Sequence, residues 1–183
     1  MARPAGMTGA PATTEDRLLG GWVRLRQPAG GFRAAIDPVL LAAAVPARPG
    51  ERVLEAGTGP GAAALCLLAR LAGLHVAGIG RDGAIAGIAR ANAALNGAED
   101  RFAVITGDIA ARATAREAAA HGPYAHAMAN PPFHVGGTRS PRAGRRAAGH
   151  ESAEAALGVW VAAMARRLAP RGTLTLILPP ARL

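Results

Sequence analysis

Leu54-Glu55-Ala56-Gly57-Thr58-Gly59-Pro60-Gly61 is the stretch that decides how this chain folds. A short apolar run, Arg52–Glu55, leads into it, and an Ala- and Leu-rich run, Ala62–Leu71, follows. The first reads as a strand, the second as a helix, and the octapeptide as the loop between them. Three alternate glycines let the backbone turn sharply and let a ligand come within contact distance. Glu55, at the strand end, can accept hydrogen bonds. The spacing is not that of the dinucleotide fingerprint, whose third glycine comes one residue later.

The same rhythm continues outward. His75–Ile79 reads as a second strand and Asp82 to Asn96 as a helix that Gly97 stops. Phe102–Thr106 is a third strand, and residues 109–120 are Ala-rich and partly helical. Tyr124–Ala129 is a fourth strand, and residues 134–150 form a long Gly-, Arg-, Ser- and Pro-containing loop. Glu151–Leu168 carries Leu157, Trp160, Val161, Met164 and Leu168 on one helical stripe. After the turn Pro170-Arg171-Gly172, Thr173–Leu178 is a fifth strand. Strands alternating with helices imply an α/β fold, a doubly wound, mainly parallel sheet covered on both faces. Ligands in such sheets bind outside the carboxyl ends of the strands. The chemistry is therefore expected just after Glu55, Ile79, Thr106 and Ala129.

On the other side of the glycine loop, Trp22, Arg24 and Arg26 alternate with Val23 and Leu25, a period of two that reads as a strand, with Gly20-Gly21 as a turn. Asp37-Pro38 opens a helix that runs to about Val45, with Asp37 as its cap. Residues 1–14 read as a loose tail, and residues 15–183 as one domain.

The 183 residues suit one domain, and 50% hydrophobic residues exclude a disordered chain. Aromatics are only 3%, so the core is built from Ala, Leu, Val and Ile. One cysteine, Cys66, excludes an internal disulfide and a multi-cysteine zinc site, and no metal is expected. No apolar run approaches the roughly 20 residues that span a bilayer. The N-terminus lacks the apolar core of a signal peptide. The reading is a soluble, cytoplasmic, basic domain. The net charge is +9, and every basic residue is Arg.

Asn130-Pro131-Pro132-Phe133 is the most informative tetrapeptide. Two prolines at a strand end stop the ladder and fix the backbone. They leave the Asn130 amide and the Pro131 carbonyl facing the cleft. A planar amine could donate one hydrogen bond to each, while Phe133 offers a face for a base to stack on. That suits methylation of an exocyclic amine, whose lone pair is delocalised into its ring. Catalysis is then mostly orientation, and no strong base is needed.

An acid, then G-x-G-x-G, at a strand end, with N-P-P-F about 70 residues later, resembles the class I S-adenosylmethionine-dependent methyltransferases that act on amines. By that resemblance Glu55, Gly57, Gly59 and Gly61 hold the methionine end of S-adenosyl-L-methionine, and Asp108 lies near the adenine amine. The family's ribose-binding acid falls at Gly80 here, within Gly78-Ile79-Gly80-Arg81-Asp82. Arg81 joins the candidate cofactor contacts, and Asp82 comes two residues late, as a substitute acid or a helix cap. Gln27-Pro28-Ala29-Gly30-Gly31-Phe32-Arg33, followed by Asp37, resembles the segment that covers the cofactor in the bacterial tRNA1(Val) (adenine-N6) methyltransferases. That resemblance covers roughly residues 15–183 and implies tRNA, or another structured RNA, as partner. Asn130 would touch both cofactor and substrate.

Arg17, Arg24, Arg26 and Arg33 fall in residues 17–33 with no acid among them, and Arg139, Arg142, Arg145 and Arg146 fall in residues 134–150, again with none. Both stretches are candidate phosphate contacts. The family's sheet usually ends with a hairpin of two further strands. Five strands plus an N-terminal hairpin are counted here, with those last two absent, so the fifth strand would leave an edge open to a homodimer. Two alternatives stay open beside an active RNA adenine-N6 methyltransferase. One is a silent, truncated relic that binds RNA or cofactor. The other is a protein glutamine-N5 methyltransferase.

Overall fold

The computed structural model describes residues 11–30, 33–131 and 157–178. The period-two segment is a strand with a partner. β1 (Thr13–Leu18) and β2 (Val23–Pro28) form an antiparallel hairpin in which Glu15 faces Arg26 and Leu18 faces Val23. β1 begins two residues inside the stretch expected to be a loose tail. Val23, Leu25 and Gln27 are buried, whereas Trp22, Arg24 and Arg26 point outward. α1 (Asp37–Ala44) follows, with Pro38 in its first turn. Asp37 was expected to cap it. Instead Ile36 takes the cap position, its carbonyl accepting from the Val39 and Leu40 amides, and Asp37 lies in the first turn without a capping hydrogen bond. Its charge still favours the positive end of the helix.

Among the described residues, five strands then alternate with four helices. These are β3 (Arg52–Ala56), α2 (Ala62–Arg70), β4 (His75–Gly80), α3 (Gly83–Leu95), β5 (Phe102–Thr106), α4 (Arg112–Ala120), β6 (Tyr124–Ala129), α5 (Leu157–Ala165) and β7 (Leu168–Leu176). They form one parallel sheet in the order β5-β4-β3-β6-β7. The chain runs outward from β3 to one edge, then crosses back to β6 on the other side of β3. The cleft between β3 and β6 is therefore the point where strand order reverses, the usual ligand position in such sheets.

Alternation along each strand splits the core in two. Val53, Val76, Phe102 and Met128 face α1, α2, α3 and the hairpin. Leu54, Ala77, Ile79, Ile105, Ala127 and Ala129 face α4 and α5. Small residues let the helices sit close to the sheet: α2 buries every residue from Ala62 to Leu68.

The end of the chain departs from expectation. Leu168 was read as the last residue of a helical stripe, but the helix stops at Ala165 and Leu168 opens β7. Pro170-Arg171-Gly172, read as a turn ahead of the strand, lies inside it. Tyr124 pairs with Leu168 and His126 with Thr173, so the extra residues bulge out, with Arg171 at φ +66. A bulge of this kind uses the same turn-forming residues as a loop. Pro132, Phe133, Phe32, the loop 134–150 and residues 151–156 lie outside the described residues.

Candidate active site

The register between β3 and β6 pairs Ala56 with Ala129. The glycine loop and Asn130 therefore leave adjacent strands at the same level. The loop is held down on one side, where the Gly57 and Thr58 amides both donate to the Ile79 carbonyl at 2.9 and 3.0 Å. Gly57, Gly59 and Gly61 sit at φ +72, +53 and +88, a region that side chains seldom enter. Crowding adds to the requirement at two of them. A Cβ on Gly57 would lie 2.7 Å from the Trp160 ring, and one on Gly61 would lie 2.7 Å from the Phe102 ring. Trp160, read as a core residue, is partly buried and packs over the loop from α5. Gly59 has open space on its own Cβ side.

Glu55 lies under the loop, 4% exposed. The Thr58 hydroxyl donates to its Oε2 at 2.6 Å. Burial pushes the Glu55 carboxyl up to about 7, against the pull of the Thr58 hydroxyl and the Ala64 amide. A buried carboxylate poised near neutrality favours a positively charged neighbour. Thr58 carried no signal in the sequence beyond its place between glycines.

Asn130 is partly exposed and Pro131 buried. The Ala129 carbonyl accepts from the Ile177 amide at 3.2 Å, which ties the end of β6 to β7. Among the described residues, no hydrogen bond engages the Asn130 side chain.

The tips of β4 and β5 are built differently. Asp82 caps α3, accepting from the Ala84 and Ile85 amides at 2.8 and 3.1 Å. Of the two roles left open for it, the structure shows the cap. Gly80 has room: a Cβ there would meet only the Thr58 methyl, at 3.6 Å. Asp108 accepts from the Ala110 amide at 2.8 Å, and Arg81 approaches its other oxygen at 3.7 Å. Both are solvent-exposed, and such a pair is worth little.

Three of the N-terminal arginines, Arg24, Arg26 and Arg33, have acidic partners. Arg24 and Arg26 reach Glu15 at 2.8 and 3.5 Å, and Arg33 pairs with Asp16. These acids lie on β1, just before the stretch that the sequence showed to be free of acid. Register brings them across, so part of the local positive charge is offset. Arg33 also donates to the Thr14 hydroxyl at 2.6 Å. Gln27 accepts from the Ala34 amide at 2.7 Å and donates to Asp16 at 2.9 Å, closing the turn ahead of α1. The second arginine cluster, Arg139 to Arg146, lies outside the described residues.

Two asparagine contacts had no functional signal in the sequence. Asn92 of α3, which is buried, and Asn96, the C-cap of α3, which is partly exposed, bond the backbone of β2, and Asn92 also reaches Pro60 of the glycine loop. An i, i+4 pair of asparagines on an otherwise apolar helix face was the available clue.

Residues 33–178 match the family model of the methyltransferase small domain. The tRNA1(Val) (adenine(37)-N6)-methyltransferase of Porphyromonas gingivalis is 33% identical over 156 residues, covering 83% of this chain. This chain spans about 60% of that relative's length. A SAM-dependent methyltransferase from Agrobacterium tumefaciens superposes with TM-score 0.62 at 22% identity, over 98% of this chain and 56% of the other. A predicted O-methyltransferase from the same organism gives TM-score 0.59 at 26% identity, over 79% and 62%.

Proposed function

This chain belongs to the methyltransferase small domain family, and from that footing we propose that it moves a methyl group from S-adenosylmethionine to an exocyclic amine, adenine N6 of a tRNA. The observation that carries the reading is the pairing of Ala56 with Ala129, which sets the glycine loop beside Asn130. When bound, S-adenosylmethionine supplies a methyl group on a positively charged sulfur.

The residues fit that group at its methionine end. Three positive-φ glycines let backbone approach it, and Glu55 is a buried carboxyl, pushed up to about 7, that a cationic ligand would draw toward its charged form. At the ribose end no carboxylate stands at Gly80, so this part of the ligand is held less firmly.

Asn130 Oδ1 and the Pro131 carbonyl accept one hydrogen bond each from the amine. Together they hold its nitrogen toward pyramidal geometry and aim its lone pair. The cofactor would supply its methyl as the electrophile, with its sulfur as the leaving group, and these two acceptors would keep the amine lone pair directed at it. A proton then leaves the nitrogen to water. Orientation supplies most of the rate. Phe133 stacks the target base.

The adenine of a tRNA is the target named for the Porphyromonas relative. The phosphate contacts come mainly from Arg139, Arg142, Arg145 and Arg146, because Arg24, Arg26 and Arg33 already face Glu15 and Asp16. Binding should fall steeply with salt. Replacing the four loop arginines should flatten that slope, and replacing Arg24 and Arg26 should change it less.

The test is transfer of labelled methyl from S-adenosylmethionine to total tRNA, by wild type and by Asn130→Ala. Incorporation with the wild type and a large loss in the variant supports the reading. The open space at Gly80 favours a second reading, a protein that binds RNA without turnover. That reading gains if tRNA binds but neither protein transfers label.

A further inference from the structure

Asn92, buried in α3, and Asn96, the partly exposed C-cap of that helix, stand one helical turn apart on the side that meets the hairpin. The other buried residues of that helix are Ala86, Ile88, Ala89 and Ala93. Each asparagine makes a reciprocal pair of hydrogen bonds with one residue of β2. The Arg26 amide donates to Asn92 Oδ1 at 2.8 Å, and Asn92 Nδ2 donates to the Arg26 carbonyl at 2.8 Å. The Arg24 amide donates to Asn96 Oδ1 at 2.9 Å, and Asn96 Nδ2 donates to the Arg24 carbonyl at 2.7 Å. β1 covers one edge of β2, and these two side chains stand in for a strand along the other.

The asparagines differ in where their second N–H goes. Asn96 returns it to the Asn92 carbonyl, at 2.7 Å within the helix. Asn92 sends it to the carbonyl of Pro60 at 2.9 Å. Asn92 is fully buried, and a side-chain amide has only two donor hydrogens, so one is committed to the hairpin and the other to the glycine loop. The next residue of β2, Gln27, holds the Ala34 amide and Asp16. Hydrogen bonds from Pro60 through Asn92 to Arg26, the peptide bond from Arg26 to Gln27, and the hydrogen bonds of Gln27 thus join the glycine loop to Ala34 ahead of α1. Moving the loop alone would leave a buried donor unpaired, which is costly.

We infer that Asn92 is a positioning residue that couples the glycine loop to the hairpin, so that a ligand ordering the loop also orders the hairpin and the Gln27 turn. The inference rests on the reading that this loop binds S-adenosylmethionine. Asn92 touches no reacting atom. It acts through Pro60 on one side and Arg26 on the other.

Amide hydrogen exchange on the full chain, with and without S-adenosylhomocysteine as the probe, tests it. In the wild type, loop amides and the amides of Arg24 to Gln27 and Ala34 should all slow on ligand addition, the hairpin by about tenfold, as for ordinary coupling between two sites. Asn92→Asp keeps the shape and the acceptor for Arg26 but loses both donors. There the loop should still slow while the hairpin changes by less than about twofold. Asn96→Ala should speed hairpin exchange in both states yet keep the response to ligand.

Loop protection without hairpin protection in the wild type overturns the inference and leaves cofactor binding standing. So does a full hairpin response in Asn92→Asp. Equal loss of the response in both variants overturns the assignment to Asn92. No response anywhere in the wild type overturns the cofactor reading, and the coupling with it. If Asn92→Asp does not fold, the wild type and Asn96→Ala still decide: a hairpin response in both supports the coupling, and its absence from either overturns it.

Discussion

The tips of β3 and β6 and the tips of β4 and β5 form two halves of one cleft, yet they are built to different standards. At the first pair, every residue of the loop is constrained. Positive φ, the Trp160 and Phe102 rings and a buried Glu55 leave few substitutions open. At the second pair, Gly80 has room for a side chain in ordinary contact with Thr58, Asp82 is spent on a helix cap, and Arg81 and Asp108 form a loose exposed pair. The difference teaches that, on the proposed reading, affinity would come from backbone approach at one end, not from side-chain recognition at both. A ligand should be gripped where its methionine lies and held loosely where its ribose lies.

The largest test of that contrast is Gly61→Ala. With φ at +88 and Phe102 at 2.7 Å from the new Cβ, both strain and overpacking apply. The variant should lose about 4 kcal/mol in denaturant unfolding. A loss under about 1 kcal/mol would mean the loop is not the rigid half.

Glu55→Gln comes next. The wild-type carboxyl titrates near 7 when folded, against an ordinary value of 4.5. The native state therefore binds the extra proton between those two values. Wild-type stability from this group is full below pH 4.5 and is lost as pH rises through about 7. The variant lacks that loss, so the stability difference between the two should shift by about 3 kcal/mol across the window. Parallel stability curves would show that Glu55 is not held protonated by its surroundings.

Gly80→Asp is smallest and works in the opposite direction, by repairing the weak half. The new side chain has room, and a carboxylate there can accept from ribose hydroxyls. S-adenosylhomocysteine should bind about tenfold more tightly by calorimetry, the worth of one charge-assisted hydrogen bond. Unchanged or weaker binding would show that the two ends do not differ for want of that acid.

Much of the frame was legible in the sequence because punctuation and periodicity agreed. β5 and β6 begin and end at the expected residues, since Gly107 and Asn130-Pro131 mark their ends. The glycine loop was legible as a sharp turn because its three alternate glycines take the positive φ that side chains seldom adopt. β7 was harder. Pro170-Arg171-Gly172 carries turn chemistry, and only pairing with β6 reveals it as a bulge. The partners of Arg24, Arg26 and Arg33 were hidden for a related reason. Glu15 and Asp16 are near in sequence, but their opposition depends on hairpin register. Asn92 was hidden most deeply, because its three partners come from two segments 32 and 66 residues away.

The central claim is that an amine is held between Asn130 Oδ1 and the Pro131 carbonyl beside the glycine loop. Its most direct test is the nucleoside formed, identified by mass spectrometry of digested tRNA after reaction with S-adenosylmethionine. The account predicts N6-methyladenosine from the wild type and a rate about 100-fold lower from Asn130→Ala, with S-adenosylhomocysteine affinity changed by no more than about twofold. Methyl transfer that survives Asn130→Ala, or a methylated product bearing the group elsewhere than on an exocyclic amine, would contradict it.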